Sequence, residues 1–135
     1  MSLADEVSVH RRIAEIGKAA WDDCHSCEDY ADNPFVSFDF LNALEVTDCA
    51  VERTGWGPSH LLLKDRAGRA AAVMPLYLKS HSRGEYVFDH AWAEAYQRAG
   101  GAYYPKLQSC APFSPVTGPR LLVRPDVDRP QAQRR

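Results

Sequence analysis

Two apolar runs facing each other across a turn constrain this chain more than any other feature. Ser59-His60-Leu61-Leu62-Leu63-Lys64 reads as a strand. Residues 69–79, rich in Ala, Val, Met and Leu, read as its return. Between them, Asp65-Arg66-Ala67-Gly68 is a four-residue hairpin turn with Gly68 where a positive φ is wanted. Such a hairpin belongs to a sheet, and the remaining elements have to cover it.

Those elements can be placed around it. Residues 7–16 alternate imperfectly, with Val7, Val9, Ile13 and Ile16 apolar, and read as a strand. Residues 19–27 read as a short helix carrying Trp21. Asn33-Pro34 signals a turn or helix start, and Phe35, Phe38, Leu41 and Leu44 follow at helical spacing toward Cys49, with Ser37 or Asp39 as cap. Gly55-Trp56-Gly57-Pro58 reads as a loop. Residues 85–88 form another strand candidate, and residues 92–99 a helix closed by Gly100-Gly101. Residues 103–109 and 118–123 are short extended segments. The order implies an α/β (α+β) fold, a mixed, mostly antiparallel sheet flanked by helices.

The chain has 135 residues, enough for one domain with a real core. At 45% hydrophobic and 25% charged, it is neither fibrous nor disordered in composition. The longest apolar stretch, residues 70–78, is interrupted by Pro75 and is far short of a membrane span. The acidic start, Met1-Ser2-Leu3-Ala4-Asp5-Glu6, lacks a signal-peptide core, which points to the cytoplasm. A net charge of -2 argues against a dedicated nucleic-acid binder. Residues 124–135 hold two prolines, four arginines and no aromatic, and read as a flexible tail or truncated linker after a domain over residues 1–123.

Familiar catalytic signatures are absent: there is no GxGxxG, P-loop, GxSxG or HExxH. Cys24 and Cys27 form a C-x-x-C pair without the second ligand pair that structural zinc requires, so no metal site is expected. Chemistry concentrates instead in residues 75–118. There, Lys79, Ser80, His81, Ser82 and Arg83 sit where a strand gives way to a loop, among Tyr77, Tyr86, Phe88, Trp92, Tyr96, Tyr103, Tyr104 and Phe113.

Several words in residues 33–123 carry a resemblance. They include Asn33-Pro34-Phe35, Thr54-Gly55-Trp56, Pro75-Leu76-Tyr77-Leu78-Lys79-Ser80-His81-Ser82, Gly84-Glu85-Tyr86-Val87-Phe88-Asp89, Tyr103-Tyr104-Pro105-Lys106-Leu107 and Pro112-Phe113-Ser114-Pro115-Val116-Thr117-Gly118. Together they resemble the N-terminal portion of FemAB-like, or peptidoglycan-biosynthesis-like, N-acyltransferases of the GNAT superfamily. The resemblance implies a partial GNAT-like fold and transfer of an acyl or aminoacyl group to an amine, from acyl-CoA or aminoacyl-tRNA. Members of that family are longer, so it further implies a half-domain, inactive alone, that self-associates through an exposed sheet edge.

Acyl transfer to an amine needs a base, an aligned acceptor and a stabilised oxyanion. Glu85 and Asp89 are the candidate bases, with His81 and His90 beside them. Asp89, next to Phe88 and Trp92, is expected to have a raised pKa. Tyr104 is a candidate proton donor to the departing group. Lys79 and Lys106 are candidates for holding an anionic substrate group, with His81 and Trp92 completing the substrate-binding set. The competing reading is that Glu85 merely pairs across strands with Lys79 or Lys106. At the level of the whole chain, the alternative is a non-catalytic binding or assembly domain.

Overall fold

The structure is a computed structural model and describes residues 3–86 and 88–135. Strand β1 spans Leu3–His10, and two short helices follow, α1 (Ile13–Ile16) and α2 (Lys18–His25). A 3-10 turn over Pro34–Val36 leads into α3 (Phe38–Val46), capped by the Ser37 hydroxyl, which accepts from the Phe40 amide at 3.2 Å. Strands β2 (Trp56–Pro58), β3 (His60–Asp65), β4 (Ala70–Met74) and β5 (Tyr77–Lys79) come next. Helix α4 (His90–Arg98), strands β6 (Lys106–Gln108) and β7 (Leu122–Val123), and helix α5 (Arg129–Gln133) complete the chain.

The hairpin forms as expected. Gly68 adopts φ +83°, and the Asp65 carboxylate accepts from the amides of Ala67 and Arg69, each at 3.0 Å. The hairpin then runs on into a second sheet. Pro75 has no N–H to give to the ladder, and the Leu76 amide donates to His60 Nδ1 at 3.2 Å. On the partner side, Ser59 separates β2 from β3, and its amide bonds to the Leu76 carbonyl at 2.8 Å. The expected single strand over residues 69–79 is therefore two strands, and the expected loop at Gly55-Trp56-Gly57-Pro58 contains β2. The result is two antiparallel sheets, ordered β1-β3-β4-β7 and β2-β5-β6.

Other expectations also change. The segment over residues 7–16 is strand only to His10. Ile13 and Ile16 then turn with helical spacing and are buried on α1. Glu85, Tyr86 and Phe88 lie outside any strand, while Val87 falls outside the described residues. Residues 124–135 fold back on the sheet instead of forming a loose tail. Val127 and Ala132 join Leu3, Leu63, Ala71, Ala72 and Val123 in one apolar cluster. Arg124 is 4% exposed and binds the Asp65 carboxylate at 2.8 Å and the Ala70 carbonyl at 2.6 Å. The opposite face of the same sheet packs Leu62, Val73 and Leu122 against Ile13, Trp21, Cys24, Tyr30 and Leu41 of the helical layer. Among the described residues no helix is long and apolar enough to cross a membrane.

Candidate functional site

The smaller sheet assembles the site. Its middle strand β5 ends at Lys79, and β6 sets Lys106 directly opposite in register. The loop after β5 carries Ser82, Arg83 and Glu85, and Asp89 stands just before α4. A cis Tyr104–Pro105 peptide precedes β6.

These groups meet in one network. Lys106 Nζ donates to Glu85 Oε2 at 2.8 Å, to Ser82 Oγ at 3.3 Å, and to Asp89 Oδ2 at closer range. Asp89 also accepts from Ser82 Oγ and Tyr103 OH, both at 2.6 Å, and Ser82 is hydrogen-bonded to Tyr104 OH. Lys79 Nζ donates to the Arg83 carbonyl at 3.0 Å and lies 3.8 Å from Glu85 Oε1. It also lies 3.3 Å from the centroid of the Trp56 ring, a close cation–π placement. Trp56 is held edge-on against Tyr77 and packs on Phe113.

The electrostatics follow from these contacts. Burial pushes the Lys79 pKa down to about 8, against the opposing pull of Glu85. Burial also works on Asp89, to raise its pKa, but hydrogen bonds from Lys106, Ser82 and Tyr103 prevail and hold it well below the usual carboxylate range. The expected raised pKa is thus reversed. Phe88 and Trp92, which were to surround Asp89, are 75% and 76% exposed. Burial works to lower Lys106, yet its bonds to Asp89 and Glu85 leave its pKa raised.

Of the seven sequence-derived site residues, Lys79, Glu85, Asp89, Tyr104 and Lys106 share this network. Trp92 stands on the outer face of α4, outside it. His81 packs its ring on Gly55, which has φ +82°, and accepts the Arg83 amide at 3.1 Å. The pairing of Glu85 with Lys106, which the sequence left as a competing reading, is present and forms part of the site. Sequence reasoning missed Trp56 and Arg120, and it gave no role to Ser82 and Tyr103 although both lie in the dense stretch it singled out. Trp56 lay in a stretch read as loop. The others carried no spacing signal, since their roles depend on two strands and two loops meeting.

Glu85 also lines a cleft of about 430 Å³ together with Trp56, Gln108, Cys110, Val116 and Arg120. Its side chain is 3% exposed, and Oε1 has no hydrogen-bond partner. The four cysteines are free thiols, and burial raises Cys24 to about 12, which makes it unreactive. Among the described residues no group of His, Cys, Asp and Glu could hold a metal ion.

A sequence profile of the FemAB-like family, described as peptidoglycan biosynthesis/recognition, matches residues 12–135. The chain belongs to the FemAB-like family. The match takes in the whole site and also residues 124–135, which the structure folds against the sheet. Family membership places the chain in peptidoglycan biosynthesis or recognition. No curated protein and no solved structure matches it.

Proposed function

We propose that this FemAB-like chain serves acyl or aminoacyl transfer to an amine acceptor in peptidoglycan assembly, through a GNAT-type arrangement. One observation carries the reading. Glu85 is a buried carboxylate between two lysines on the wall of a cleft, with Oε2 bonded to Lys106 and Oε1 ion-paired with Lys79 at 3.8 Å but free of hydrogen bonds. An acceptor ammonium first releases one proton to solvent, and its nitrogen sheds a second as it attacks, which a carboxylate in that position can take. The nitrogen attacks the acyl carbon of an activated ester or thioester and the N–C bond forms. The bond from that carbon to the leaving oxygen or sulfur breaks, and the proton passes from nitrogen to Glu85 and on to the leaving group.

The other residues act around that step. Lys79 and Lys106 fix the Glu85 carboxylate. Asp89, held ionised, positions Lys106 instead of acting as base. Tyr104, tied to Asp89 through Ser82, donates a hydrogen bond to the departing group while Glu85 returns the proton. The resemblance implies acyl-CoA or aminoacyl-tRNA as donor. The test offers labelled donor of each kind with a peptidoglycan precursor peptide to the protein. Label is expected on the acceptor amine, and Glu85→Gln is expected to lower kcat by roughly 100-fold with less change in KM. Undiminished turnover in Glu85→Gln, or no transfer from either donor, refutes the reading.

A binding domain without turnover is the second reading. It is favoured by Asp89, both of whose oxygens are already taken by side chains of the protein. Acceptor binding without label transfer is its signature.

A further inference from the structure

Lys79, Lys106 and Arg124 each have a carboxylate beside them. Arg120, half-buried on the wall of the Glu85 cleft, enters no ion pair among the described residues. Its Nη2 donates to the Val116 carbonyl at 2.6 Å, while Nη1 is buried without a hydrogen-bond partner. Glu85 is not its counter-ion, because Oε2 is bonded to Lys106 and Oε1 is paired with Lys79. Cys110 lies in the same cleft, but burial raises its thiol pKa and keeps it neutral. Three cations, Lys79, Lys106 and Arg120, thus meet two carboxylates, Glu85 and Asp89, and the charge left over is on Arg120. A partly buried cation with an orphaned N–H is costly until an acceptor reaches it.

Gly118 brings a second donor to that nitrogen. It has φ +135°, and the point its Cβ would occupy is 2.9 Å from Asn33 Nδ2 and 3.9 Å from Arg120 Nη1. Two N–H donors therefore flank one spot that carries no side chain. Asn33 Oδ1 accepts from the Phe35 amide at 3.1 Å, which fixes Nδ2 as the end facing Gly118. Ser114 and Thr117 add hydroxyls to the cleft wall, and Ser114 Oγ, which accepts from the Val116 amide at 3.2 Å, has its proton to give. Asn33 and the loop from Ser114 to Gly118 lie in two of the motif words, and no step of the transfer uses them. A guanidinium beside an amide N–H suits an anionic oxygen, whereas an ammonium or an apolar group would leave both donors unpaired.

We infer that Arg120 and Asn33, on either side of Gly118, form an oxyanion site that holds the phosphate or carboxylate group of a ligand at this end of the cleft. The cleft volume, about 430 Å³, is that of a small-molecule site. The inference goes beyond the transfer reading, since it gives Glu85 no part and stands whether or not transfer occurs.

The test is an NMR titration of the whole chain with sodium phosphate and, separately, sodium acetate, with ionic strength held constant by sodium chloride. Saturable shifts are expected at the Arg120 Nε–H, the Asn33 side-chain amide and the backbone amides of Thr117 and Gly118. The anion that binds more tightly names the group, phosphate or carboxylate, that the site takes. Arg120→Gln should weaken that binding by roughly tenfold or more, and Arg120→Lys should restore part of it. Asn33→Asp keeps an oxygen for the Phe35 amide but sets an anion where the donor stood, and it should weaken binding likewise. An absence of saturable shifts at these signals with both anions overturns the proposal. So does an Arg120→Gln protein that binds as tightly as the unaltered one. The titrations of the unaltered chain decide the matter even where a variant fails to fold. Label transfer without anion binding removes this inference and spares the transfer reading, and anion binding without transfer does the reverse.

Discussion

Lys79 has no exposed side-chain surface, and burial brings its pKa from 10.5 to about 8. The folded value lies below the unfolded one. Between about pH 8 and 10.5 the unfolded chain keeps a proton that the folded chain has released, so stability rises with pH across that window. Below it both states hold the proton, and the buried charge is a constant destabilising term. Lys79→Met keeps the apolar stem and is expected to flatten that rise. Urea unfolding from pH 7 to 10 reads it, and parallel curves for the two proteins would contradict the assignment. Asp89 works in the opposite sense, because its folded pKa is depressed. Its contribution is present above the ordinary carboxylate range and disappears as pH falls through the depressed value, so Asp89→Asn should remove that part of the acid-induced loss of stability. Gly84 is the other sensitive residue. It adopts φ +81°, and an added Cβ would lie 2.6 Å from the Phe113 ring and 3.1 Å from Trp56 Nε1. Gly84→Ala is expected to cost about 1–2 kcal/mol or more in denaturant unfolding and to perturb the cleft at Glu85.

Among the elements, those with local signals were readable and those made by distant contacts were not. The β3–β4 hairpin has its turn chemistry in four consecutive residues. Helix α4 ends as its Gly100-Gly101 pair suggests: the Gly101 amide bonds to the Tyr96 carbonyl at 3.0 Å and the Gly100 amide to Gln97 at 2.9 Å. Strand β2 was missed because three residues containing Gly and Pro have no strand signature, and only pairing with β5 makes them one. The end of β1 was missed for a similar reason. Glu45, on α3, accepts the Ile13 amide at 3.0 and 3.3 Å and faces His60 Nε2 at 3.1 Å. His60 Nδ1 accepts from the Leu76 amide, which leaves the Nε2 proton for Glu45. One buried carboxylate thus ties α1, α3 and β3 together, across residues far apart in the chain. Glu45→Ala is expected to destabilise the protein by about 3 kcal/mol, since it strands the partners of a buried pair. A loss below 1 kcal/mol in chemical denaturation would show that the pin is dispensable.

At the scale of the molecule, the long hairpin bends at Ser59 and Pro75 and lends its two halves to two sheets. The larger half carries the core between helices, and the smaller half carries the site. Strand β7 is two residues long, while β1, eight residues long, is the more extended edge of its sheet. The self-association that the resemblance implies is expected to use β1, and light scattering over a wide concentration range checks it, with a constant monomer mass as the contrary result. The sequence by itself determined the helix-covered antiparallel fold class, the hairpin, the glycine stop after α4 and the family, because turn residues, periodicity and consecutive motif words are local. It also named five members of the network from their density in one stretch. Only the tertiary structure decided that Asp89 is held ionised, that residues 124–135 pack on the sheet through Arg124, Val127 and Ala132, and that Arg120 shares a cleft with Glu85. Each of these depends on which distant groups surround a side chain, and burial and hydrogen bonding set its charge and role.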